Sequence, residues 1–230
     1  MPTLTLNKGG SITGTVDTTQ AAARDEASGT FIAQDIAVNG AIQYFKSSGR
    51  GGGTFRYIRS FLQFDSSAIT GTVTAATLNV ESHSNSTTAD IIVVASSAFG
   101  GATSDLINGD FNNLDFSTPY SSQITTWNNN GANNAITLNA AARSEIQNDN
   151  SFQCAIIDHD SDFQDTDSLS GDGSQTVGID FAGTITIAVT VAAAAAGPAN
   201  LTSLNTIAKA SITSFNTITL ANIDEINTIS

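Results

Sequence analysis

The chain has little cysteine, little charge and no long apolar run. Its single cysteine, Cys154, excludes an intramolecular disulfide, and its setting in SFQCAII is typical of a small buried residue. Charged residues make up 13% of the 230 residues, and eight Lys and Arg stand against 21 Asp and Glu, for a net charge of −13. Clustered basic residues bind phosphate groups, so we expect neither nucleic acid nor an anionic membrane as a partner. The longest small-apolar run, AVTVAAAAAG, is too short to span a bilayer.

Motifs for secretion and for catalysis are also missing. The first thirty residues contain no basic segment followed by an apolar one, so no signal peptide is evident. No GxSxG, Walker or HExxH motif occurs, and no third residue completes a triad or a zinc site with His83 or His159. We therefore expect a protein that is not an enzyme. A β-rich chain without a secretion signal indicates a virion protein, made in the host cytoplasm and released by lysis.

What the chain does contain is a β pattern over its first 191 positions. TITIAVTV (184–191) has a period of two and places its Ile and Val residues on one face. RSFLQFD (59–65) and TVTAATLNVES (72–82) alternate similarly. DIIVVAS (90–96) and FQCAIID (152–158) are continuous apolar runs, as expected of central strands. Further strands are expected in residues 3–6, 29–38 and 41–46.

One helix is expected in TLNAAARSEIQNDN. Asn139 can cap it, residues 140–147 have good helix propensity, and Leu138, Ala142 and Ile146 share one side. Many short strands with one short helix predict an all-β fold, a jelly-roll β-sandwich.

The composition changes after the last strand, which divides the chain into three parts. Residues 1–191 are predicted to form the sandwich, with residues 1–28 as an N-terminal arm or strand. Residues 192–200, rich in Ala with Gly and Pro, read as a linker. Residues 201–230 form a repeat of eleven residues, in which Asn-Thr-Ile recurs three times.

The order of motifs resembles a known domain type. RSFLQFDSSAITGTVTAATLNVES is similar to the opening of the core of DNRLRE-type domains, which are related to jelly-roll carbohydrate-binding modules. The resemblance continues in ITTWNNNGANNAITLNAAARSEIQNDNSFQCAII, where it implies a strand entering a short helix and then a central strand. It covers roughly residues 30–191 and implies the fold more strongly than a ligand.

The densest carboxylate cluster is DHDSDFQDTD (158–167). In an extended loop, Asp158, Asp160 and Asp162 would point to one side and suit a hard cation, so a structural Ca²⁺ is one hypothesis. The alternative is a solvated acidic loop at a strand end.

A glycine-rich, basic stretch, SGRGGGTFRYIR (48–59), offers a second candidate site. Arg50, Arg56 and Tyr57, together with the only tryptophan, Trp127, could contact an acidic polysaccharide or a partner protein. The alternatives are a mobile loop with Arg59 paired to a carboxylate such as Asp65, and a packing role for Trp127 at the edge of the core.

The C-terminal repeat is predicted to serve assembly. Its Thr, Ile, Asn and Ser content favours a small β-rich element over a helix, and thirty such residues cannot bury their apolar face alone. The expected partners are further copies of the chain, preferably in a trimer, and other virion proteins, with host polysaccharide as an additional candidate. The oligomerisation residues are predicted to be Leu204, Ile207, Ile212, Phe215, Ile218, Ile223, Ile226 and Ile229.

The repeat itself carries a second resemblance. NTIAKASITSFNTI is similar to the Asn-x-Ile repeats that close structural proteins of tailed phages of marine cyanobacteria, with Thr in place of the usual Gly. The resemblance implies a capsid decoration, tail or fibre protein that displays an outward β-sandwich. The alternative function is a non-catalytic carbohydrate-binding module for an acidic polysaccharide.

Overall fold

In a computed structural model, about half of the described residues lie in antiparallel β-strands. The described residues are 1–15, 17–34, 39–49, 52–83, 90–100, 105–192, 203–204, 207–208, 214–215 and 218–219. They fall into two compact units, Met1–Val191 and Ala192–Ser230. No helix among these residues is long and apolar enough to cross a membrane.

The first unit contains eleven strands among its described residues, together with two short helices and two single turns. The strands are β1 Thr3–Thr13, β2 Phe31–Gln34, β3 Asn39–Gly49, β4 Gly52–Asp65, β5 Val73–Glu81, β6 Ile91–Ser96, β7 Leu114–Pro119, β8 Asn133–Thr137, β9 Ser151–Asp158, β10 Gly173–Asp180 and β11 Ile185–Val191. The helices are α1 Gln20–Arg24 and α2 Ala140–Asn148, and the turns are a 3₁₀ turn at Asn108–Asn112 and a π-turn at His159–Phe163.

These strands form one curled sheet, with every pair antiparallel. Eight of them follow the order β7-β6-β9-β4-β1-β11-β5-β8. The other three branch from this order, since β2 pairs with β1, β3 with β4, and β10 with β3. Strand β1 joins the two halves of the curl, because Thr3–Thr5 pair with β11 and Leu6–Thr13 pair with β4 across a register shift. The prediction of an all-β sandwich is confirmed, and the N-terminal residues form a strand inside the sheet.

The main core lies between the two halves of the curl. Alternate residues of β5 and β11 meet alternate residues of β4 and β9, for example Leu78 and Ile187 with Leu62 and Cys154, all fully buried. Each fully buried aliphatic or aromatic side chain of this kind stabilises the fold by about 1.5–3 kcal/mol. The predicted alternation of residues 59–65 and 184–191 is thus confirmed. In residues 72–82 it holds from Ala76 onward, since Val73 is buried in the same core as Leu78 although five positions separate them.

A second core covers the opposite face of β4, β9 and β6. It contains Phe61, Ile157 and Val94 from these strands, and Ala23 and Phe111 from α1 and the 3₁₀ turn. Strands β6 and β9 are therefore buried on both faces, which explains their continuous apolar sequences.

Helix α2 is the predicted helix, one residue longer. The Asn139 side chain accepts hydrogen bonds from the backbone N–H of Ala141 and Ala142, at 2.9 and 3.2 Å. Leu138, Ala142 and Ile146 all face the main core. The prediction of a single helix is wrong, since α1 and the two single turns are also present.

The second unit is described only at four two-residue strands. Strand β12 (Ser203–Leu204) pairs with β13 (Ile207–Ala208), and β14 (Ser214–Phe215) pairs with β15 (Ile218–Thr219). Each antiparallel pair brackets one Asn-Thr dipeptide of the repeat, and the two pairs are eleven residues apart. The predicted β character of the repeat is confirmed for these residues.

Candidate functional site

The acidic segment after β9 forms a π-turn, and this turn decides where each carboxylate points. Its closing hydrogen bond runs from the backbone N–H of Gln164 to the carbonyl of His159, at 2.8 Å. The Asp158 carboxylate caps the turn by accepting from the backbone N–H of Ser161, at 2.7 Å. Single π-turns are rare and occur frequently at functional sites.

The π-turn overturns the prediction that Asp158, Asp160 and Asp162 form one cation site. That prediction required an extended loop, in which alternate side chains share a side. Here Asp158 and Asp162 are buried and already bonded within the protein, and Asp160 alone of the three belongs to a group of side chains that could hold a metal ion.

Asp162 is held by Arg59 in a fully buried ion pair. Arg59 Nε donates to Asp162 Oδ2 at 2.8 Å, and Arg59 Nη2 donates to Asp162 Oδ1 at 2.7 Å. Two further guanidinium protons reach the carbonyls of Phe111 and Arg24, at 2.8 and 2.6 Å, and the centre of the Phe111 ring lies 4.1 Å from the guanidinium carbon. The suggested Arg59–Asp65 pair is therefore wrong, since Asp65 instead accepts from Ser67.

Tyr57 also holds the π-turn, so it is not a surface contact residue. Its hydroxyl donates to the carbonyl of Ser161 at 2.8 Å, and its ring stacks on Tyr44 with centroids 5.2 Å apart. Burial, followed by the nearby charge of Asp162, raises the pKa of Tyr57 well above its usual range. The prediction that Tyr57 contacts a glycan is wrong because its side chain is fully buried.

Three side chains meet beside the π-turn: Asp90, His159 and Asp160. One ligand atom from each lies within 4.8 Å of the other two. His159 Nδ1 is 2.7 Å from Asp160 Oδ1 and 3.6 Å from Asp90 Oδ1. Asp90 is buried, whereas the other two are partly exposed, so the group opens to the surface on one side.

Strand pairing positions this group. Strands β6 and β9 are antiparallel neighbours with Ile91 opposite Asp158, so Asp90 and His159 are adjacent where the two strands end. The backbone N–H of His159 donates to the carbonyl of Asp90 at 2.8 Å. We call Asp90, His159 and Asp160 the strand-end triad.

Negative charge is concentrated around the triad. Burial, with added repulsion from Asp90 and Asp162, raises the pKa of Asp158 to about 7. Arg59 and its hydrogen bonds neutralise Asp162, whereas Asp90 accepts from two neutral donors, Gln123 Nε2 at 2.7 Å and the backbone N–H of Asp160 at 3.3 Å. The triad is therefore suited to a cation.

Sequence reasoning named Asp160 as a candidate cation ligand, but it set His159 aside and missed Asp90 and Gln123. A usable indication was present, since Asp90 directly precedes one predicted central strand and His159 directly follows another. Antiparallel pairing of those strands would have brought the two residues together.

The remaining binding candidates among the described residues, Arg56 and Trp127, make contacts with different residues. Arg50 lies outside the described residues. Arg56 is half-buried on β4, donates to Gln43 Oε1 at 2.8 Å and lies 5.3 Å from the centre of the Phe45 ring. Trp127 packs against the main core, and its indole N–H is buried without a hydrogen-bond partner among the described residues.

Four of the predicted oligomerisation residues are described. Leu204 is paired with Ile207, and Phe215 with Ile218. The others lie outside the described residues, namely Ile212, Ile223, Ile226 and Ile229.

Comparison of the chain with protein-family models and with curated proteins finds no match.

Proposed function

We propose that the protein is a structural component of a virus particle, in which residues 1–191 form a displayed β-domain and residues 201–230 an assembly element. The observation that carries the proposal is the pair of hairpins at the repeat interval. Leu204 pairs with Ile207, and eleven residues later Phe215 pairs with Ile218.

Such small hairpins need a surface to pack on. A two-stranded hairpin is at best marginally stable in water, and a short repeat buries its apolar face only by stacking on a neighbour. The repeating Leu, Ile and Phe positions supply apolar faces at a constant spacing. Equivalent faces on other copies of the chain would match that spacing, so a homo-oligomer is the expected state.

The first unit has no such need, because its strands bury their faces within the unit. Two cores cover both sides of β4, β6 and β9. This contrast supports two separate roles, in which the β-domain folds alone and the repeat associates with other copies of the chain. The resemblance of the repeat to phage structural proteins supports a capsid decoration, tail or fibre as its location.

Incorporation into particles tests this function. A variant with Leu204, Ile207, Phe215 and Ile218 all changed to Ser removes the apolar positions of the paired strands. Ser203→Ala with Ser214→Ala is the matched control, because it changes the same strands without removing apolar groups. Density-purified particles should contain the wild-type and control chains and lack the four-site variant. Equal incorporation of all three, or purified particles that lack the wild-type chain, would contradict the proposal.

A second candidate function, binding of an acidic polysaccharide, is favoured by the setting of Arg56. Its guanidinium lies over Phe45 and is held by Gln43, which leaves it half-buried on a sheet face beside an aromatic ring. Arg provides paired donors for carboxylates, and aromatic rings provide apolar contact area.

Glycan binding can be tested with the isolated protein. Binding to alginate-like polymers should weaken on Arg56→Ala, whereas Arg143→Ala, on the half-exposed part of α2, should leave it unchanged. Failure of the wild-type protein to bind any acidic polysaccharide would exclude this function and leave the structural role intact.

A further inference from the structure

We propose that the strand-end triad of Asp90, His159 and Asp160 binds a divalent transition-metal ion, with Zn²⁺ as the reference ion. The claim does not depend on the proposed function. It rests on one imidazole nitrogen and two carboxylate oxygens that the fold brings within 4.8 Å of one another.

The spacing of the ligand atoms fits an ion of this size. Zn–N and Zn–O bonds are about 2.0–2.2 Å long, so neighbouring ligand atoms lie about 3.0 Å apart in an octahedron and about 3.4 Å apart in a tetrahedron. The two separations from His159 Nδ1, 2.7 Å to Asp160 and 3.6 Å to Asp90, bracket these values. The third separation, between the Asp90 and Asp160 oxygens, is at most 4.8 Å, and rotation of the partly exposed Asp160 side chain would shorten it.

The ligand types favour a transition metal over the Ca²⁺ expected from the sequence. Calcium takes six to eight oxygen ligands, whereas imidazole suits Zn²⁺ and its first-row neighbours. A neutral imidazole and two carboxylates together carry two negative charges, which a divalent ion balances. Three protein ligands leave at least one coordination position for water.

Neighbouring side chains already hold the ligands of the triad in position. Gln123 Nε2 donates to Asp90 Oδ1 at 2.7 Å, and the His159 ring stacks on Phe163 with centroids 6.0 Å apart. Hydrogen bonds from outside the coordination sphere orient ligands in this way, and their loss typically lowers metal affinity about 10–100-fold.

Buried contacts fix the π-turn that carries two of the ligands, His159 and Asp160. The buried Arg59–Asp162 pair and the Tyr57 hydroxyl bond to Ser161 hold its backbone. Binding would therefore require little ordering of the chain, which raises affinity because less conformational entropy is lost.

Calorimetric titration of the full-length protein with ZnCl₂, after removal of metal with EDTA, tests the proposal. We expect one Zn²⁺ per chain. Gln123→Ala should lower the affinity about 10–100-fold, and His159→Ala and Asp160→Asn should each lower it further. Two matched controls should bind as wild type: His83→Ala removes the other histidine, and Asp165→Asn removes a carboxylate of the same loop outside the triad.

Circular dichroism must show that each variant is folded, and Asp160→Asn serves as the second variant because its side chain is 45% exposed. Replacement of Zn²⁺ by Co²⁺ should give visible absorption bands that His159→Ala abolishes. Absence of Zn²⁺ binding, equal binding by wild type and both ligand variants, an equal loss in His83→Ala, or displacement of Zn²⁺ by equimolar Ca²⁺ would each overturn the proposal. An equal loss in His83→Ala would mean that the ion is bound elsewhere. Displacement by Ca²⁺ would mean that oxygen ligands alone bind it.

Discussion

Arg59 on β4 and Asp162 in the π-turn after β9 form a two-point ion pair with both side chains fully buried. The pair joins residues 103 positions apart in the chain. It fixes the turn that presents His159 and Asp160, so the fold and the candidate metal centre depend on the same contact.

Removal of the Asp162 charge should strongly destabilise the protein. Asp162→Asn keeps the shape of the side chain but leaves Arg59 buried without a counter-charge, which typically costs about 3–5 kcal/mol. The control is Asp165→Asn, because its carboxylate is half-exposed and 3.9 Å from Arg24. It should change the free energy of unfolding by no more than about 1 kcal/mol. Urea unfolding monitored by Trp127 fluorescence measures both, and equal effects would contradict the account.

Loss of Asp167 should change how stability depends on pH. Burial of this carboxyl opposes a low pKa, but hydrogen bonds from Lys46 and Tyr44 outweigh it and lower the pKa below its usual range. A carboxyl with a lowered folded-state pKa adds stability above its unfolded pKa of about 3.9, and this stability is lost as pH falls through the folded pKa.

Asp167→Asn should therefore lower the unfolding midpoint at pH 7, and the difference from wild type should shrink as the pH falls from about 3.9 to 3. The measurement is a series of urea unfolding curves between pH 7 and pH 3. Asp172→Asn is the comparison at a fully exposed carboxyl, where the midpoint should change less. A difference that persists unchanged at pH 3 would show that the contribution of Asp167 is not electrostatic.

The Cys154 thiol should be unreactive in the folded protein. It is fully buried in β9, and burial raises the pKa of the thiol well above its usual value, so little thiolate is present at neutral pH. A disulfide reagent should label it only after unfolding in urea. Rapid labelling of the native protein would mean that β9 is not a central strand.

Asn139 should contribute to stability through the start of helix α2. Its side chain accepts from two backbone N–H groups and donates to the carbonyl of Pro119 at 2.6 Å. Asn139→Ala should cost about 1–2 kcal/mol. Asn148→Ala removes two exposed hydrogen bonds, to the carbonyl and the hydroxyl of Ser144, and should cost less than about 0.5 kcal/mol. Comparable costs at the two positions would contradict the capping role.

Residue periodicity was sufficient to predict both the strands with one buried face and the central strands with two. The alternation in residues 184–191 and the apolar runs of β6 and β9 correspond to one-sided and two-sided burial, respectively. Strands β7 and β10 were missed because their residues are mostly polar or small and half-buried, which leaves weak alternation.

The candidate site was harder to predict, because it depends on contacts distant in sequence. The partner of Arg59 lies in the π-turn, and a π-turn has no clear sequence pattern. Asp90 became part of the site only through the pairing of β6 with β9. Sequence alone placed several carboxylates in the correct loop and then assigned them to the wrong common face.

The native mass of the full-length protein tests the central claim, that the repeat drives assembly, most directly. Native mass spectrometry should show a homo-oligomer, preferably a trimer. The variant with Leu204, Ile207, Phe215 and Ile218 changed to Ser should be a folded monomer. A wild-type chain that remains monomeric at all accessible concentrations, or a four-site variant with the same oligomeric mass as wild type, would contradict the account.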